Sequence, residues 1–259
     1  MKISALIITK NEEANIERCL RSLDFCDEVI VIDDLSQDTT LKKVQKIYKV
    51  YKVFQRKLNG DFSGQRNFAM EKAKNEWILF LDADEEISKE LKEEINSVDY
   101  RQPIGALYLK RRDFFWSREL KFGETAKIRN YGIIRLIKKN SGRWEGKVHE
   151  EYKVKSSKLK VQSLQNYINH YPHQTVKKFL EEVNFYSTLR ARELQSQGKK
   201  TNILEIIFFP LGKFLITYFI KLGFLDGPAG FVYAFFMSFH SFLVRAKLYQ
   251  YTKINKLSS

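Results

Sequence analysis

The chain has 259 residues, of which 44% are hydrophobic and 14% aromatic, and its formal net charge is +14. This composition excludes a disordered or low-complexity chain, because such chains lack the apolar side chains that form a core. The length suits one large domain, or a domain of about 200 residues with an appendage. The charge favours an anionic partner, but it does not distinguish nucleic acid, lipid headgroups and phosphorylated substrates.

The cysteines and the first residues predict a reducing compartment. Cys19 and Cys26 are the only cysteines, and their spacing fits neither a zinc site nor a disulfide framework. Residues 1–10 form an apolar run too short for a secretory signal. No run reaches the ~18 uncharged apolar residues typical of a transmembrane helix. We therefore expect a cytoplasmic protein.

Short apolar segments alternate with helix-like segments in the first 100 residues. In the helix-like segments, apolar side chains recur at the spacing of one helix face, as at Ile16, Cys19 and Leu23. This alternation is typical of right-handed βαβ units in a parallel or mixed sheet flanked by helices. The predicted strands are residues 3–8, 28–32, 50–54 and 77–81.

Two of these strands end in pairs of aspartates. Asp33 and Asp34 follow the second strand, and Asp82 and Asp84 follow the fourth. Because the carboxyl ends of parallel strands lie at one edge of a sheet, where α/β proteins hold ligands, we expect the four carboxylates to converge on one crevice. Carboxylates on a short turn suit Mg2+ or Mn2+, which take further ligands from phosphates and water.

These acids suit a nucleoside diphosphate. Asp33 or Asp34 can accept a hydrogen bond from a pyrimidine N–H or a ribose hydroxyl. Asp82 and Asp84 can hold a divalent cation that bridges the diphosphate. Arg66, at the start of the helix before the fourth strand, can contact a phosphate or can simply be a surface cation.

A simpler interpretation assigns the acids after the fourth strand to helix capping. In this interpretation Asp82, Asp84 and the next two glutamates supply an acidic first turn to a helix that begins at Ser88. It does not require a second acid pair at the same edge.

The pattern changes after residue 100. A basic, aromatic loop is predicted over residues 111–129, and a linker over 197–201. The predicted strands are residues 105–110, 131–137 and 151–155, and the predicted helix is 175–196.

Residues 202–250 are rich in phenylalanine and poor in acidic residues. Pro210 and Lys213 interrupt the first apolar segment, and residues 231–244 are too few to span a bilayer. Short aromatic helices with basic rims are suited to the headgroup region. We therefore expect residues 203–250 to bind an anionic membrane surface. The alternative is that these helices pack on the domain or form a homodimer interface.

Four segments resemble the successive signatures of glycosyltransferase family 2. They are residues 7–12 (IITKNE), 33–40 (DDLSQDTT), 65–69 (QRNFA) and 80–84 (FLDAD). Residues 148–150 (VHE) and the turn 223–230 further resemble the lipopolysaccharide core glycosyltransferases related to the β-1,4-glucosyltransferase branch. The resemblance implies an α/β, GT-A (Rossmann-like) fold, a mixed and mostly parallel sheet flanked by helices, here with a C-terminal amphipathic helical extension.

The resemblance also implies an inverting transfer from a nucleotide sugar, usually a UDP-sugar, to a lipid-linked or lipopolysaccharide-core acceptor. A polyprenyl-phosphate acceptor is the alternative within the same fold. The predicted donor-site residues are Thr9, Asn11, Glu12, Asp33, Asp34, Arg66 and Asp82.

An inverting transfer needs a base for the acceptor hydroxyl. The Glu-Asp pair that commonly supplies it in this family is missing from the expected region, so we assign Glu150, with Glu145 second. Either can instead be a surface strand acid. Imidazole binds Mn2+, so His149 can join Asp82 and Asp84 as a metal ligand, although a lone histidine is more often structural. Lys127, Arg129 and Arg135 can contact an anionic acceptor, but single charges are more often solvated.

We expect a GT-A domain over residues 1–200 and a membrane-associating tail over 201–259. Within the domain, residues 1–100 form the nucleotide-sugar half and 101–200 the acceptor half. The predicted location is peripheral, at the inner face of the cytoplasmic membrane.

Two other protein classes share some of these features. A receiver domain gathers acids at strand ends, but it explains neither the second acid pair nor the aromatic tail. A basic membrane-binding or nucleic-acid-binding module without catalysis would explain the charge. The sequence has no nucleic-acid recognition motif, and an acidic crevice repels phosphate unless a metal intervenes. We therefore expect no nucleic-acid partner.

Overall fold

The computed structural model describes residues 1–47, 52–146, 150–173 and 175–254. The chain divides into two compact units. The first comprises Met1–Arg112 and Lys127–Tyr171, and the second comprises Asp113–Ala126 and Pro172–Ser259. Each unit therefore combines segments that are distant in sequence.

The first unit begins with four parallel strands. The strands are β1 (Ile3–Thr9), β2 (Glu28–Asp33), β3 (Lys52–Gln55) and β4 (Trp77–Asp82). The helices between them are α1 (Ile16–Arg21), α2 (Thr40–Gln45) and α3 (Phe62–Lys72). The strands lie in the order β3, β2, β1, β4. The predicted parallel part of the sheet is confirmed, although residues 50 and 51 of the third predicted strand lie outside the described residues.

Strand β4 is covered on both faces, as its uninterrupted apolar sequence predicts. On one face, Leu79 belongs to the hydrophobic cluster that contains Leu20 of α1. On the other face, Phe80 belongs to the cluster that contains Ala69 of α3. Close packing on both sides fixes the carboxyl end of the strand, where the candidate ligands lie.

The later strands make the sheet mixed. The next elements are β5 (Glu85–Ile87), α4 (Lys89–Ser97), β6 (Ile104–Phe115), β7 (Arg118–Leu120), α5 (Ala126–Tyr131), β8 (Ile133–Lys138), β9 (Gly142–Glu145), β10 (Glu151–Val154) and β11 (Lys160–His170). Among the described residues, nine strands form one sheet, in which β8, β6, β11 and β5 follow β4 and β7 pairs with β6. Strands β9 and β10 pair separately.

The largest differences between the structure and the predicted elements lie in two segments. The sequence predicts a loop over residues 111–129, whereas β6 extends to Phe115 and α5 begins at Ala126. The sequence does not predict β11, because residues 160–163 are exposed and lack an apolar face. Pairing with β5 nevertheless orders the end of this strand, where His170 lies opposite Glu85.

The second unit is mainly helical. Its long helices are α6 (Val176–Ser196), α7 (Ile203–Leu215) and α8 (Gly227–Tyr249). Helix α8 packs against both α6 and α7. A wider helical turn, Ile216–Ile220, continues α7. By length and composition alone, Ile203–Ile220 and Gly223–Lys253 are long and apolar enough to cross a membrane, whereas the sequence predicts segments too short to do so.

The turn between α7 and α8 is fixed by Asp226. This side chain is buried and accepts hydrogen bonds from the backbone N–H groups of Lys121, at 3.1 Å, and Phe122, at 3.0 Å. Position 230 requires glycine, because a Cβ on Gly230 would overlap the carbonyl oxygen of Gly223. The segment 223–230 therefore has a structural role in this unit.

The two units differ from the predicted ranges 1–200 and 201–259. Helix α6 belongs with the tail, because it packs on α8 through Phe179 and Phe236, whose ring centroids are 4.3 Å apart. The donor and acceptor halves, residues 1–100 and 101–200, remain predictions.

Candidate functional site

Both acid pairs lie at one edge of the sheet, on either side of β1. In the parallel register, Thr9 of β1 lies opposite Asp33 of β2. On the other side, Ile8 lies opposite Asp82 of β4. The two neighbouring strands therefore end at the same edge, as the sequence predicts.

Asp33 and Asp34 are buried and bound to the loops around them. Asp33 accepts hydrogen bonds from the backbone N–H of Ser36, at 3.0 Å, and from its hydroxyl, at 2.5 Å. Asp34 accepts from Nζ of Lys10 and from the backbone N–H of Leu58, each at 2.8 Å. These carboxylates order the loops that follow β1, β2 and β3.

Side chains after β1 tie its loop to the loop after β2. Asn11 adopts a left-handed backbone conformation with φ of 52°. Its Oδ1 accepts a hydrogen bond from the backbone N–H of Gln37 at 2.8 Å. The backbone N–H of Glu12 donates to the hydroxyl of Thr40, also at 2.8 Å. Residues 9–12 therefore form a rim beside Asp33, in which the loop after β1 is hydrogen-bonded to the loop after β2.

Asp82 lies between two arginines. Its Oδ1 accepts a hydrogen bond from Nη2 of Arg66 at 3.0 Å, and its Oδ2 accepts from Nη2 of Arg135 at 2.5 Å. Burial raises the pKa of Asp82, but Arg135 and Arg66 outweigh burial and hold that pKa well below its usual range. The charge of this carboxylate is therefore already compensated by protein groups.

Glu85 of β5 completes this cluster. It is fully buried, and its Oε1 accepts hydrogen bonds from Arg135 at 2.9 Å and Arg111 at 3.3 Å. Its Oε2 accepts from the backbone N–H of Asp82 at 2.9 Å. Burial lowers the pKa of Arg135, but Asp82 and Glu85 outweigh burial and raise it above its usual value. Arg135 is therefore a buried structural cation.

The capping interpretation of these acids is wrong. The N-cap of α4 is Ser88, whose hydroxyl accepts a hydrogen bond from the backbone N–H of Leu91 at 3.1 Å. The acid in the first turn of this helix is Glu90. Asp82 ends β4 and Glu85 begins β5, so both precede the helix.

Asp84 has a different partner, His170 at the end of β11. Nε2 of His170 lies 3.2 Å from Oδ2 of Asp84. Burial raises the pKa of Asp84, but His170 outweighs burial and lowers it. The predicted metal ligands Asp82 and Asp84 therefore have separate partners, although both lie at the end of β4.

Arg66 also contacts Glu150. Nε of Arg66 donates a 2.9 Å hydrogen bond to Oε1 of Glu150. The guanidinium lies 5.0 Å from the ring centroid of Trp144 and 5.6 Å from that of Phe80, which restricts its movement. One arginine thus joins the predicted base to Asp82. Glu145, the second candidate, is exposed on β9.

The predicted metal ligand His149 lies outside the described residues, as do Lys147 and Val148. Within the described part of the chain, no group of three or more His, Cys, Asp and Glu side chains is arranged to hold a metal ion. Asp84 and His170 nevertheless present an oxygen and a nitrogen donor at adjacent positions. This pair fits a divalent cation that takes its other ligands from a diphosphate and water.

Sequence reasoning misses His170, and it gives Arg135 and Glu85 other roles, as an acceptor contact and as a helix-capping acid. Glu85 is obscured by its acidic neighbours, and Arg135 resembles any other cation in a strand. His170 belongs to the unpredicted strand β11. The available signal for Arg135 is its position in a short apolar segment, where a charged side chain needs a partner.

Comparison with known sequences identifies related proteins. Residues 4–148 match the family model described as Glycosyl transferase family 2. An uncharacterized glycosyltransferase of Rickettsia bellii is 33% identical over 95% of this chain and 86% of its own length. The lipopolysaccharide core biosynthesis glycosyltransferase LpsC of Rhizobium meliloti is 30% identical over 96% of this chain and 93% of its own length.

Solved structures with the same fold cover nearly the whole chain. The mannosyltransferase PcManGT of Pyrobaculum calidifontis, in complex with GDP-Man and Mn2+, covers 97% of this chain and 88% of its own, with a TM-score of 0.59 and 14% identity. TarS 1-349 of S. aureus, in complex with UDP-GlcNAc, covers 97% and 91%, with a TM-score of 0.51 and 17% identity. The predicted fold class is confirmed.

Proposed function

Because the chain belongs to glycosyl transferase family 2, we propose that it is a metal-dependent, inverting transferase. Its donor is a UDP-sugar, and its acceptor is a lipopolysaccharide-core glycan or another lipid-linked glycan. The observation that carries this proposal is that the strands bearing the two aspartate pairs, β2 and β4, end on either side of β1 at one edge of the sheet. This is the edge where α/β sheets hold nucleotides.

The nucleoside binds at the loops after β1 and β2. The rim formed by Thr9, Asn11 and Glu12 limits one side of this site. Asp33 and Asp34 hold the loop, and their remaining lone pairs accept hydrogen bonds from the base or the ribose. The complex of TarS with UDP-GlcNAc supports a UDP-sugar as the donor. Because PcManGT binds GDP-Man, GDP-sugars are the alternative donors to test.

Asp84 and His170 hold the divalent cation. When bound, the cation neutralises charge on the departing diphosphate. Asp82 acts through Arg66 and Arg135, which place two positive charges at the same strand end. Within the described part of the chain, Nη1 of Arg66 has no hydrogen-bond partner. A phosphate oxygen would satisfy this donor.

Glu150 takes the proton from the acceptor hydroxyl as that oxygen attacks the anomeric carbon. The hydrogen bond from Nε of Arg66 orients its carboxylate, which remains partly accessible, with 15% of the side chain exposed. In an inverting reaction the attacking oxygen and the leaving diphosphate lie on opposite sides of the sugar. Glu150 therefore belongs to the acceptor side and Arg66 lies between the two substrates.

The similarity to LpsC supports an acceptor of the lipopolysaccharide core. Such an acceptor is attached to a lipid, so we place the enzyme peripherally at the inner face of the cytoplasmic membrane. A polyprenyl phosphate is the competing acceptor, since it would be reached at the same surface.

Donor hydrolysis tests the proposal directly. The full chain is incubated with a panel of UDP-sugars and GDP-sugars in Mn2+ or Mg2+, and nucleotide release is measured. We expect one UDP-sugar to be hydrolysed and EDTA to abolish the reaction. Transfer to core oligosaccharides and to polyprenyl phosphate then identifies the acceptor, and NMR of the product gives its anomeric configuration. Metal-independent hydrolysis, or a product with retained configuration, would contradict the proposal.

A further inference from the structure

The exposed surface of α7 is mainly apolar. At about 100° per residue, its exposed apolar side chains extend without a charged residue from Ile203 round to Phe208 over about 140°, and Phe209 follows at about 240°, beyond Glu205 at about 200°. The buried Ile206 and Pro210 occupy the remaining arc, where the carbonyl of Pro210 accepts a 2.7 Å hydrogen bond from the hydroxyl of Ser238 in α8. Between these limits the exposed residues are Leu204, Ile207, Phe208, Leu211 and Leu215.

The charged groups of this segment are bound to protein partners. Glu205 and Lys213 are the only charged residues of Ile203–Ile220. Glu205 accepts a 2.8 Å hydrogen bond from the hydroxyl of Thr201. Lys213 forms a 2.7 Å ion pair with Glu124. The other residues of this segment carry no formal charge, and the guanidinium of Arg245 in α8 lies 3.9 Å from the ring centroid of Phe209.

The apolar surface continues beyond α7. Ile220 is 74% exposed, and Phe224 is exposed in the following turn. On α8, Phe231 and Phe235 are exposed within about 40° of each other, which makes a narrow ridge. The ring of Phe231 lies 5.7 Å from that of Phe214, so this ridge adjoins α7.

Lysines lie at both ends of the apolar segment. Lys199 and Lys200 are exposed just before α7, and Lys221, which also lies 3.9 Å from Glu124, is exposed just after Ile220. Between them the segment is about 27 Å long at 1.5 Å per residue. This charge pattern complements anionic lipid headgroups at two points along one surface.

We propose that α7, the turn after it and the phenylalanine ridge of α8 form a docking surface immersed in one leaflet of an anionic bilayer. An exposed apolar arc of this width needs cover from water. A helix lying among headgroups keeps a charged face toward water, which α7 lacks. A second copy of the chain would cover one side of α7, whereas lipid covers the whole exposed arc. This docking surface rests on the peripheral membrane location proposed above and specifies which residues contact the lipid.

The Lys213–Glu124 pair favours a helix lying in the plane of the membrane over one that crosses it. Lys213 lies near the middle of the segment, so a crossing helix would place this ion pair close to the bilayer centre. Charges are costly there. In the plane of the membrane, the pair faces the protein while both lysine ends reach headgroups.

Vesicle flotation tests the docking surface with the full chain. The vesicles contain equal amounts of phosphatidylcholine and phosphatidylglycerol. We expect Phe208→Glu to reduce the vesicle-bound fraction by roughly tenfold, because it places a charge in the immersed arc. Val161→Glu, at an exposed apolar position of β11, is the matched control and should bind like the wild type. A wild type that does not float, or a Phe208→Glu variant that floats normally, would overturn the proposal.

Nitroxide labels distinguish lipid from a second copy. Cysteines are introduced singly at Leu204, Phe208 and Phe209, while Cys19 and Cys26 are buried and shielded from labelling. In vesicles we expect all three labels to collide more with oxygen than with a water-soluble nickel complex. A water-accessible label at one of these positions, or protection by dimerisation without vesicles, would refute immersion. Donor hydrolysis without vesicles reports separately on the proposed transferase.

Discussion

Nε2 of His170 lies 3.2 Å from Oδ2 of Asp84, and this contact joins the end of β11 to the turn after β4. Asp82, two residues earlier, is instead bound by Arg66 and Arg135. The two aspartates of one short motif therefore have different chemical settings. We infer that Asp84 is a metal ligand, whereas Asp82 holds Arg66 in position for the diphosphate.

Replacing Asp84 or His170 should separate metal binding from folding. We expect Asp84→Asn and His170→Gln each to weaken Mn2+ binding in the presence of UDP by at least about tenfold, because each removes one of two protein ligands. Electron paramagnetic resonance of free Mn2+ measures this binding, and Asp99→Asn, an exposed acid paired with Arg101, is the control. Unchanged binding in both variants would remove Asp84 and His170 from the metal site.

Glu150→Gln should reduce turnover without weakening donor binding. The amide retains an oxygen that can accept from Nε of Arg66, but it cannot take a proton. We expect kcat to fall by about 10² to 10⁴, the usual contribution of a positioned base, with UDP affinity unchanged. Glu145→Gln, on the exposed side of β9, should retain near-normal activity. The opposite ranking of the two variants would assign the base to Glu145.

Asp82 should make stability depend on pH. Because its pKa is lowered by folding, the unfolded chain takes up this proton at a higher pH than the folded protein. Its contribution is fully present above the unfolded pKa of about 4 and is lost as pH falls below that value.

The Asp82→Asn variant removes this pH-dependent contribution to stability. We expect it to lower the free energy of unfolding at neutral pH by about 2 kcal/mol, less than for a fully buried pair because a third of the side chain is exposed. Urea titrations at neutral pH and well below pH 4 should show the difference from wild type shrinking in acid. A constant difference would show that Asp82 acts by packing alone.

Arg135 and Glu85 should be strongly coupled in stability. Arg135→Met leaves Glu85 buried without its closer guanidinium, so we expect a loss of about 3–5 kcal/mol. Adding Glu85→Gln should recover part of this loss, as a double-mutant cycle from urea unfolding would show. The exposed Lys127→Met should change stability by less than about 0.5 kcal/mol. Additive losses would mean that the ion pair contributes no coupling.

Alanine substitution at two glycines of the second unit should have opposite effects on stability. Gly230→Ala forces a Cβ onto the carbonyl of Gly223, and we expect a loss of about 2 kcal/mol or more. Gly212 lies inside α7 with no atom within 4 Å of the added Cβ, so Gly212→Ala should stabilise the helix by up to about 1 kcal/mol. Thermal unfolding of both variants tests this contrast, and equal effects would contradict the close approach at the turn.

The strand ends are predictable from the sequence because their signal is local. Residues 77–81 are apolar without interruption, and Asp82 follows at once, so both the buried strand and its ligand edge can be inferred. The position of Asp33 at the same edge follows from the parallel order of β2, β1 and β4. In this part of the chain, the strands predicted from the apolar pattern are those that form the parallel sheet.

The partners of these acids are not predictable in the same way. Arg135 and His170 reach the site through antiparallel pairing after residue 100, and pairing between distant strands leaves no mark in a local pattern. Polar exposed positions also hide β11, which carries His170. The sequence therefore predicts where charge is concentrated, but the structure is needed to show which carboxylate is already neutralised.

Arg66 is shared between Asp82 and Glu150 through different nitrogen atoms, at 3.0 and 2.9 Å. In the proposed mechanism, the contact to the diphosphate and the removal of the proton therefore both depend on the position of one side chain. Efforts to engineer a new sugar preference by altering the β4 edge should slow the reaction even when the new donor fits. Pairing such changes with compensating substitutions around Trp144, which restrains the same guanidinium, offers the most direct route to recovering speed.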